Sequence, residues 1–500
     1  MLISVPFISA NLAHAYKSSL RPVKGLKNSR AVDKDRKAKE ESVATAFASV
    51  GPCSGGIMRN STRTHSDLHI VPPATNAGAP PFLKRIDLLT ALLIIVTMAP
   101  SGCILLGSLL LQGVSSSTIS KRAFTPTVKS ATVIGNVADP AINRDSCGST
   151  RVGDRVFWTC RDSQPFDSNG VPILPLWASS ASWSNINADG TPDLLQYGGG
   201  GSQDPYFPYQ ADECNTNTAG SCADGTRYAL WPDSPPLVTS TDENAVTAYT
   251  WIPITPIQPF YLVHTNHFTG FYLANAIVIL IDSSFSTSDP DPATSLYKMT
   301  YSLDNSDRDA LPTVSLVDEN FWLYGGIPYG AYGSVVKDGT AYLFGKPSNG
   351  NIALAKVPAG SIEDKSQYQY WVNGAWTSSL PGLNDATVNI PNVSAGGQGT
   401  YYFSDFWNKW VWIGQAGISV SADYFITTAD EITGPWESSV NFYTGETGTY
   451  PLGAYTLQAH PGLNSGGSTA TNEIYISHTK NDAYADTALY STPLIHIEWN

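Results

Sequence analysis

From about residue 124 to Asn500 the chain is a series of short apolar and aromatic runs, cut by clusters of Gly, Pro, Asn, Asp and Ser. The runs include Val156–Cys160, Ala248–Ile254, Tyr272–Ile281, Phe321–Tyr324, Thr340–Phe344, Ile352–Val357, Lys409–Ile413, Tyr424–Thr427 and Glu473–Ser477. None is long enough to be read as a helix, and their spacing is that of strands with turns between them. A stretch this long exceeds one sandwich. It suits a propeller of about five blades, each of about four strands and 60–80 residues. The Gly-His…Trp-Asp repeat of WD40 blades is missing. The expected fold class is therefore all-β, a five-bladed β-propeller over residues 130–500. Two hairpins are legible directly, one turning at Lys337-Asp338-Gly339 and one at Pro347–Asn351.

Composition agrees. Charged residues are only 14% of the chain, while Trp (13), Tyr (25) and Gly (42) are plentiful, which disfavours a coiled coil or helical bundle. The net charge of −13 disfavours a nucleic-acid binder. It is unevenly spread. Residues 1–87 hold 13 Lys and Arg against 6 Asp and Glu, and the remainder holds 16 against 36. Residues 1–85 read as a disordered basic arm. Residues 86–113 contain the uncharged run Leu88–Leu111, 24 residues long. As a helix it reaches about 36 Å, enough for a bilayer core of about 30 Å. Lys84 and Arg85 precede it, which orients the arm to the cytosol and the acidic part outward. The competing reading starts at Met98, whose apolar stretch resembles a secretory signal followed by the dibasic pair Lys121-Arg122. Under either reading residues 114–129 are a linker, and the acidic part is extracellular or at the cell surface. Contact with a membrane is expected through residues 88–111 if they are not cleaved.

Four cysteines of the acidic part form two close pairs, Cys147/Cys160 and Cys214/Cys222. In an exported chain these read as short-loop disulfides. Asn392-Val393-Ser394 is a glycosylation sequon. The sequence shows no P-loop, Rossmann fingerprint, HExxH, EF-hand loop or GxSxG motif, so no cofactor and no metal are implied.

Asp145 stands two residues before Cys147, and Asp162 two residues after Cys160. A Cys147–Cys160 bridge draws these carboxylates toward the spacing of glycosidase acid pairs, about 5 to 9.5 Å. One carboxyl of such a pair is kept protonated as acid, and the other stays ionised as base or nucleophile. In the alternative reading both Asp residues cap turns, with Arg144 and Arg161 as ion-pair partners. Further candidates for binding a saccharide are Asp139, His264, Glu319, Tyr332, Asp405, His460 and His478. Glu319 is expected as an axial carboxylate at the start of a blade, and the last two as pocket groups at strand ends.

Four blocks carry a family resemblance: Arg144–Thr150 with Phe157–Gln164, then Tyr332–Ser379, then Phe403–Glu437, then Tyr475–Thr479. Together they resemble the domain of unknown function 4185, over about residues 130–500. The resemblance implies a five-bladed propeller. It also implies a relation to glycoside hydrolase family 183, whose endo-acting D-arabinanases use two Asp residues of the first blade. Arg144-Asp145-Ser146-Cys147-Gly148 matches the block of the first acid. Trp158-Thr159-Cys160-Arg161-Asp162-Ser163 matches the block of the second, with Cys160-Arg161 in place of Phe-Gly and Ser163 in place of Thr. Asp139-Pro140 is similar to the acidic-Pro start of arabinan- and xylan-active propellers. A polysaccharide or oligosaccharide partner follows from the resemblance. Hydrolysis, sugar binding without catalysis, and a structural role at the cell surface all stay open at this point.

Overall fold

The computed structural model describes residues 124–500, except 174–175, 199–204, 212, 215–221, 223–226, 258–290, 305, 350–351, 418 and 485–486. All described residues lie in one compact unit, Val114–Asn500. The basic arm, the Leu88–Leu111 run, His264 and the Tyr272–Ile281 run fall outside the described residues. Among the described residues no helix is long and apolar enough to cross a membrane.

Five antiparallel sheets carry the fold, which is an all-β five-bladed propeller. Blade I runs Gly148–Val152, Arg155–Cys160, Ser180–Ile186 and Pro192–Tyr197. Blade II runs Leu237–Thr241, Ala245–Ile257, Thr294–Ser302 and Thr313–Trp322, with Arg227–Leu230 paired to the far end of its long second strand. Blade III runs Ser334–Lys337, Thr340–Gly345, Ala353–Pro358 and Gln369–Val372, plus a short fifth strand Ala375–Thr377. Blade IV runs Gly399–Ser404, Lys409–Gln415, Asp423–Ala429 and Val440–Thr444. Blade V runs Ala454–Ala459, Glu473–Tyr484 and Pro493–Trp499, and its outermost strand is Val128–Asn136, from the other end of the propeller sequence.

The first strands of successive blades touch one another in sequence from I to V. The short turn Pro461–Leu463, just after the first strand of blade V, touches the first strand of blade I and completes the circle. The segments that lead into the first strands therefore share one end of the molecule. So do the connections between second and third strands.

The expected runs are strands because their alternation fits a pleated surface, and the hairpins turn where Gly and Asp allow. Asp338 (φ 51°) and Gly339 (φ 73°) both take the left-handed conformation that a two-residue hairpin requires. Phe321–Tyr324 is a strand only as far as Trp322, and Leu323 and Tyr324 are exposed in the turn beyond. Between blades the core is aromatic. Trp183 packs on Tyr301 at 4.8 Å, Trp322 on Tyr329 at 5.6 Å, and Phe344 stacks on Tyr401 at 3.5 Å.

Close packing sets hard limits at Gly330. Its φ is +92°, and a Cβ there would lie 2.4 Å from the Trp251 indole, which is fully buried. Gly330→Ala is expected to destabilise the protein by about 3 kcal/mol, combining left-handed strain with overpacking. A urea unfolding midpoint equal to wild type would contradict this.

Candidate functional site

Strands Ile142–Arg144 and Ser163–Pro165 pair antiparallel, in the same register as Gly148–Val152 with Arg155–Cys160. Together they form one long ribbon, interrupted only at Asp145–Cys147 and Cys160–Asp162. At the interruption the Asp145 N–H donates to the Asp162 carbonyl and the Arg161 N–H to the Asp145 carbonyl, both at 2.9 Å. The Cys147–Cys160 disulfide spans the same break, with Cα atoms 4.1 Å apart. The second expected bridge, Cys214–Cys222, is also formed. Two short-loop disulfides fit an oxidising, extracellular setting.

This break fixes the two acids side by side in different surroundings. Asp145 is half-buried, and its Oδ1 accepts from the Ser146 hydroxyl at 2.7 Å. Burial pushes its carboxyl up to about 6, against the pull of the Arg161 charge and the Ser146 hydrogen bond, while the Asp162 charge adds to the rise. Tyr455, from the start of blade V, also hydrogen-bonds to it. Asp162 is buried. Its Oδ2 accepts from Arg227 Nη1 at 3.0 Å, and its Oδ1 accepts from Arg227 Nη2 and from Trp231 Nε1, the latter at 2.9 Å. Three donors, two of them from one guanidinium, thus converge on its two oxygens.

The backbone around the acids is held away from its usual conformations. Ser146 and Thr456 both have φ of 52°, and their hydroxyls meet at 2.8 Å. The Ser146 N–H donates to Thr479 Oγ1 at 2.9 Å. Non-glycine residues with positive φ concentrate at functional sites, where surrounding contacts enforce them. Blades I and V are thereby joined directly beneath Asp145.

The arginines are not shared as the turn-cap alternative has it. Arg144 donates to Ser182 Oγ at 2.6 Å and to Gln196, and it lies 3.8 Å from Asp139. Arg161 pairs with Asp233, lies 5.7 Å from the Trp231 ring and is felt electrostatically by Asp145. Arg227, 65 residues from Asp162 in sequence, is the partner that no local pattern could indicate.

Other expected site residues are placed differently. Asp139 is buried, and its Oδ1 caps the Ala141 N–H at 2.9 Å. It borders a cavity of about 130 Å³ that Arg144 and Tyr490 also line. Tyr332 precedes the first strand of blade III, at the same end as Asp145, and donates to the Gly396 carbonyl at 3.1 Å. Glu319 is not axial. It lies in the outermost strand of blade II, where its carbonyl accepts from Ser295 Oγ at 2.8 Å. Asp405 follows the first strand of blade IV, at the opposite end from Asp145, and is exposed between Lys337 (3.1 Å) and Thr469 (2.6 Å).

His460 and His478 are interior groups rather than pocket groups. His460 is fully enclosed, with Nδ1 2.8 Å from Ser149 Oγ and Nε2 2.7 Å from Ser477 Oγ, and burial pushes it down to about 3. His478 lies 2.9 Å from both Tyr424 Oη and the Glu446 carbonyl, and burial pushes it down to about 4. Asn392 is exposed, as a sequon requires. Among the described residues no group of three or more His, Cys, Asp or Glu is placed to hold a metal ion.

No family model matches the sequence, and no curated protein does. Several solved structures are similar to this chain over about three quarters of its length. A protein of Bacteroides ovatus is 15% identical, with 73% of this chain and 87% of that one covered and a TM-score of 0.45. The exo-β-1,3-galactanase of Phanerochaete chrysosporium is 10% identical, with 73% and 63% covered and a TM-score of 0.35. The catalytic domain of the Coprinopsis cinerea α-L-arabinofuranosidase of glycoside hydrolase family 62 is 10% identical, with 76% and 98% covered and a TM-score of 0.35.

Two stability measurements follow. The Asp145 carboxyl is raised above its unfolded value, so its favourable contribution is complete below about pH 4 and is lost as pH rises through about 6. Asp145→Asn should therefore gain on the order of 2 kcal/mol relative to wild type between pH 4.5 and 7.5, read from urea unfolding at both pH values. Arg227→Met leaves a buried carboxylate without its cation and should destabilise by about 3–5 kcal/mol, with much of the loss recovered in Arg227→Met/Asp162→Leu. Equal stability of the single and double variants would contradict the pairing.

Proposed function

We propose that the protein is a glycoside hydrolase-like propeller acting on a cell-wall polysaccharide, with Asp145 and Asp162 as its acid pair. The observation that carries this reading is the unequal treatment of two adjacent carboxyls. Asp145 has its proton affinity raised to about 6, while Asp162 is surrounded by donors. Environments that push paired carboxyls apart mark acid and base assignments. Asp145 takes the role of general acid, protonating the leaving oxygen. Asp162 takes that of base or nucleophile, with its charge held by Arg227. The resemblance of the two acid-bearing blocks to the domain of unknown function 4185 supports the same positions and favours a furanosidic arabinan as substrate.

A second reading rests on Asp162 itself. Both its oxygens are engaged by Arg227 and Trp231, and little of it faces solvent. A propeller that binds sugar without cleaving it would use Asp162 in this way, as a clamp on the loop that presents Asp145.

The readings separate in one assay of the purified protein on D-arabinan, L-arabinan and xylan. For the hydrolase, wild type releases reducing ends, and Asp145→Asn and Asp162→Asn each lose about 10²–10⁴-fold in kcat. An acid that must be protonated gives a rate that falls as pH rises through about 6. Sugar binding by wild type without release, weakened in Asp162→Asn, would establish the second reading instead.

A further inference from the structure

Cations at the acid-bearing end are mostly consumed by the protein's own acids. Arg227 is spent on Asp162, Arg161 on Asp233, and Arg144 lies against Asp139. Lys346 differs. It leads out of the second strand of blade III, at the same end of the propeller as Asp145 and Asp162. It is half-buried, and among the described residues its ammonium has no carboxylate and no hydrogen-bond acceptor. It faces the Tyr332 ring, 5.6 Å from Nζ to the ring centre. Burial lowers its proton affinity, with no neighbouring charge to oppose the effect.

The surroundings tie this lysine to the acid pair. Tyr332 leads into the first strand of blade III and is close enough to Asp233 to feel its charge. Asp233 leads into the first strand of blade II and holds Arg161, which acts on Asp145. Lys346, Tyr332, Asp233, Arg161 and Asp145 thus follow one another around the end of the propeller across three blades. A lysine whose donors are taken up by no acceptor among the described residues is matched to a negative group that arrives with a ligand. An ammonium is a compact charge with three donors, suited to an oxyanion. An aromatic face beside it supports the cation and offers a stacking surface to a sugar ring.

We propose that Lys346 and Tyr332 form a subsite for an anionic substituent, so that the glycan taken by this protein, a substituted arabinan included, carries a carboxylate, sulfate or phosphate. The subsite rests on the acid pair being the place where the glycan binds, and it deepens that reading by naming the substrate class.

The test uses full-length Asp145→Asn protein, which holds glycan without turnover, with and without Lys346→Met. The probes are oligogalacturonides and glucuronoxylan oligosaccharides for carboxylate, carrageenan oligosaccharides for sulfate, phosphomannan oligosaccharides for phosphate, and neutral arabinan and xylan oligosaccharides. Calorimetric titration should show acidic probes binding more tightly than neutral ones. Lys346→Met should lose at least tenfold for the acidic class that fits and leave neutral binding unchanged, and Lys346→Arg should restore most of the loss. Equal binding of acidic probes with and without the Lys346 ammonium, preference for neutral probes, or no binding of any probe overturns the subsite. If Lys346→Met does not fold, Lys346→Gln in the same titration decides. Failure of the hydrolase reading looks different: wild type would bind acidic probes through Lys346 and release no reducing ends.

Discussion

The ladder between Val128–Asn136 and Pro493–Trp499 is the constraint on which the rest depends. Without it blade V lacks its outer strand, and the ring becomes a row of sheets. With it, the five first strands are held around a common axis and the segments leading into them converge on one end. Asp145, Asp233, Tyr332, Gln398 and Tyr455 all lie on such segments or at their ends, one from each blade. Residues scattered over more than three hundred positions become neighbours through closure alone. Ser146 and Thr456, 310 residues apart, share a hydrogen bond for this reason.

Within that frame the site is a problem in distributing charge. Carboxyls crowd one end of an acidic chain, and each buried one needs a donor or a proton. Asp162 is answered by Arg227 and Trp231, Asp233 by Arg161, and Asp139 by a backbone N–H with Arg144 nearby. Asp145 receives a hydroxyl, a phenol and the charge of an Arg161 already paired with Asp233, and burial still pushes its carboxyl up to about 6. The two histidines bear on stability in the opposite sense. Held neutral by burial, they contribute stability that is present above about pH 6.5 and is lost as the solution becomes acidic.

Strands, turns and the stapled adjacency of Asp145 and Asp162 were legible because each is a local matter. Val156–Cys160 alternates as a strand must, Asp338-Gly339 carries a hairpin in two residues, and Cys147 and Cys160 sit close on either side of one turn. What escaped the sequence is relational. A strand's pattern does not say whether it lies at the axis or the rim, so Glu319 looked axial and proved peripheral. Nor does it say which end of the ring a loop faces, which is why Asp405 belongs with Lys337 rather than with the acids. His460 follows the first strand of blade V and His478 lies within its second, but Ser149 and Tyr424 close around them from other blades. Arg227 carries no signal of its own; only its position opposite Asp162 gives it meaning.

Closure by the outermost strand of blade V also sets a timetable for synthesis. Val128–Asn136 is made before any of the blades, yet its partner, Pro493–Trp499, is made only after the other strands of all five. For the time needed to make more than 350 intervening residues, the early strand has an unpaired edge, the kind of edge that invites pairing with other chains. Its burial pattern suits that wait: most of Val128–Asn136 is exposed or half-exposed even in the finished sheet, and Lys129 is among the exposed residues. A segment that must remain soluble while the other blades form is thus built as a latch with little apolar surface, and the tight packing is left to the strand that closes on it.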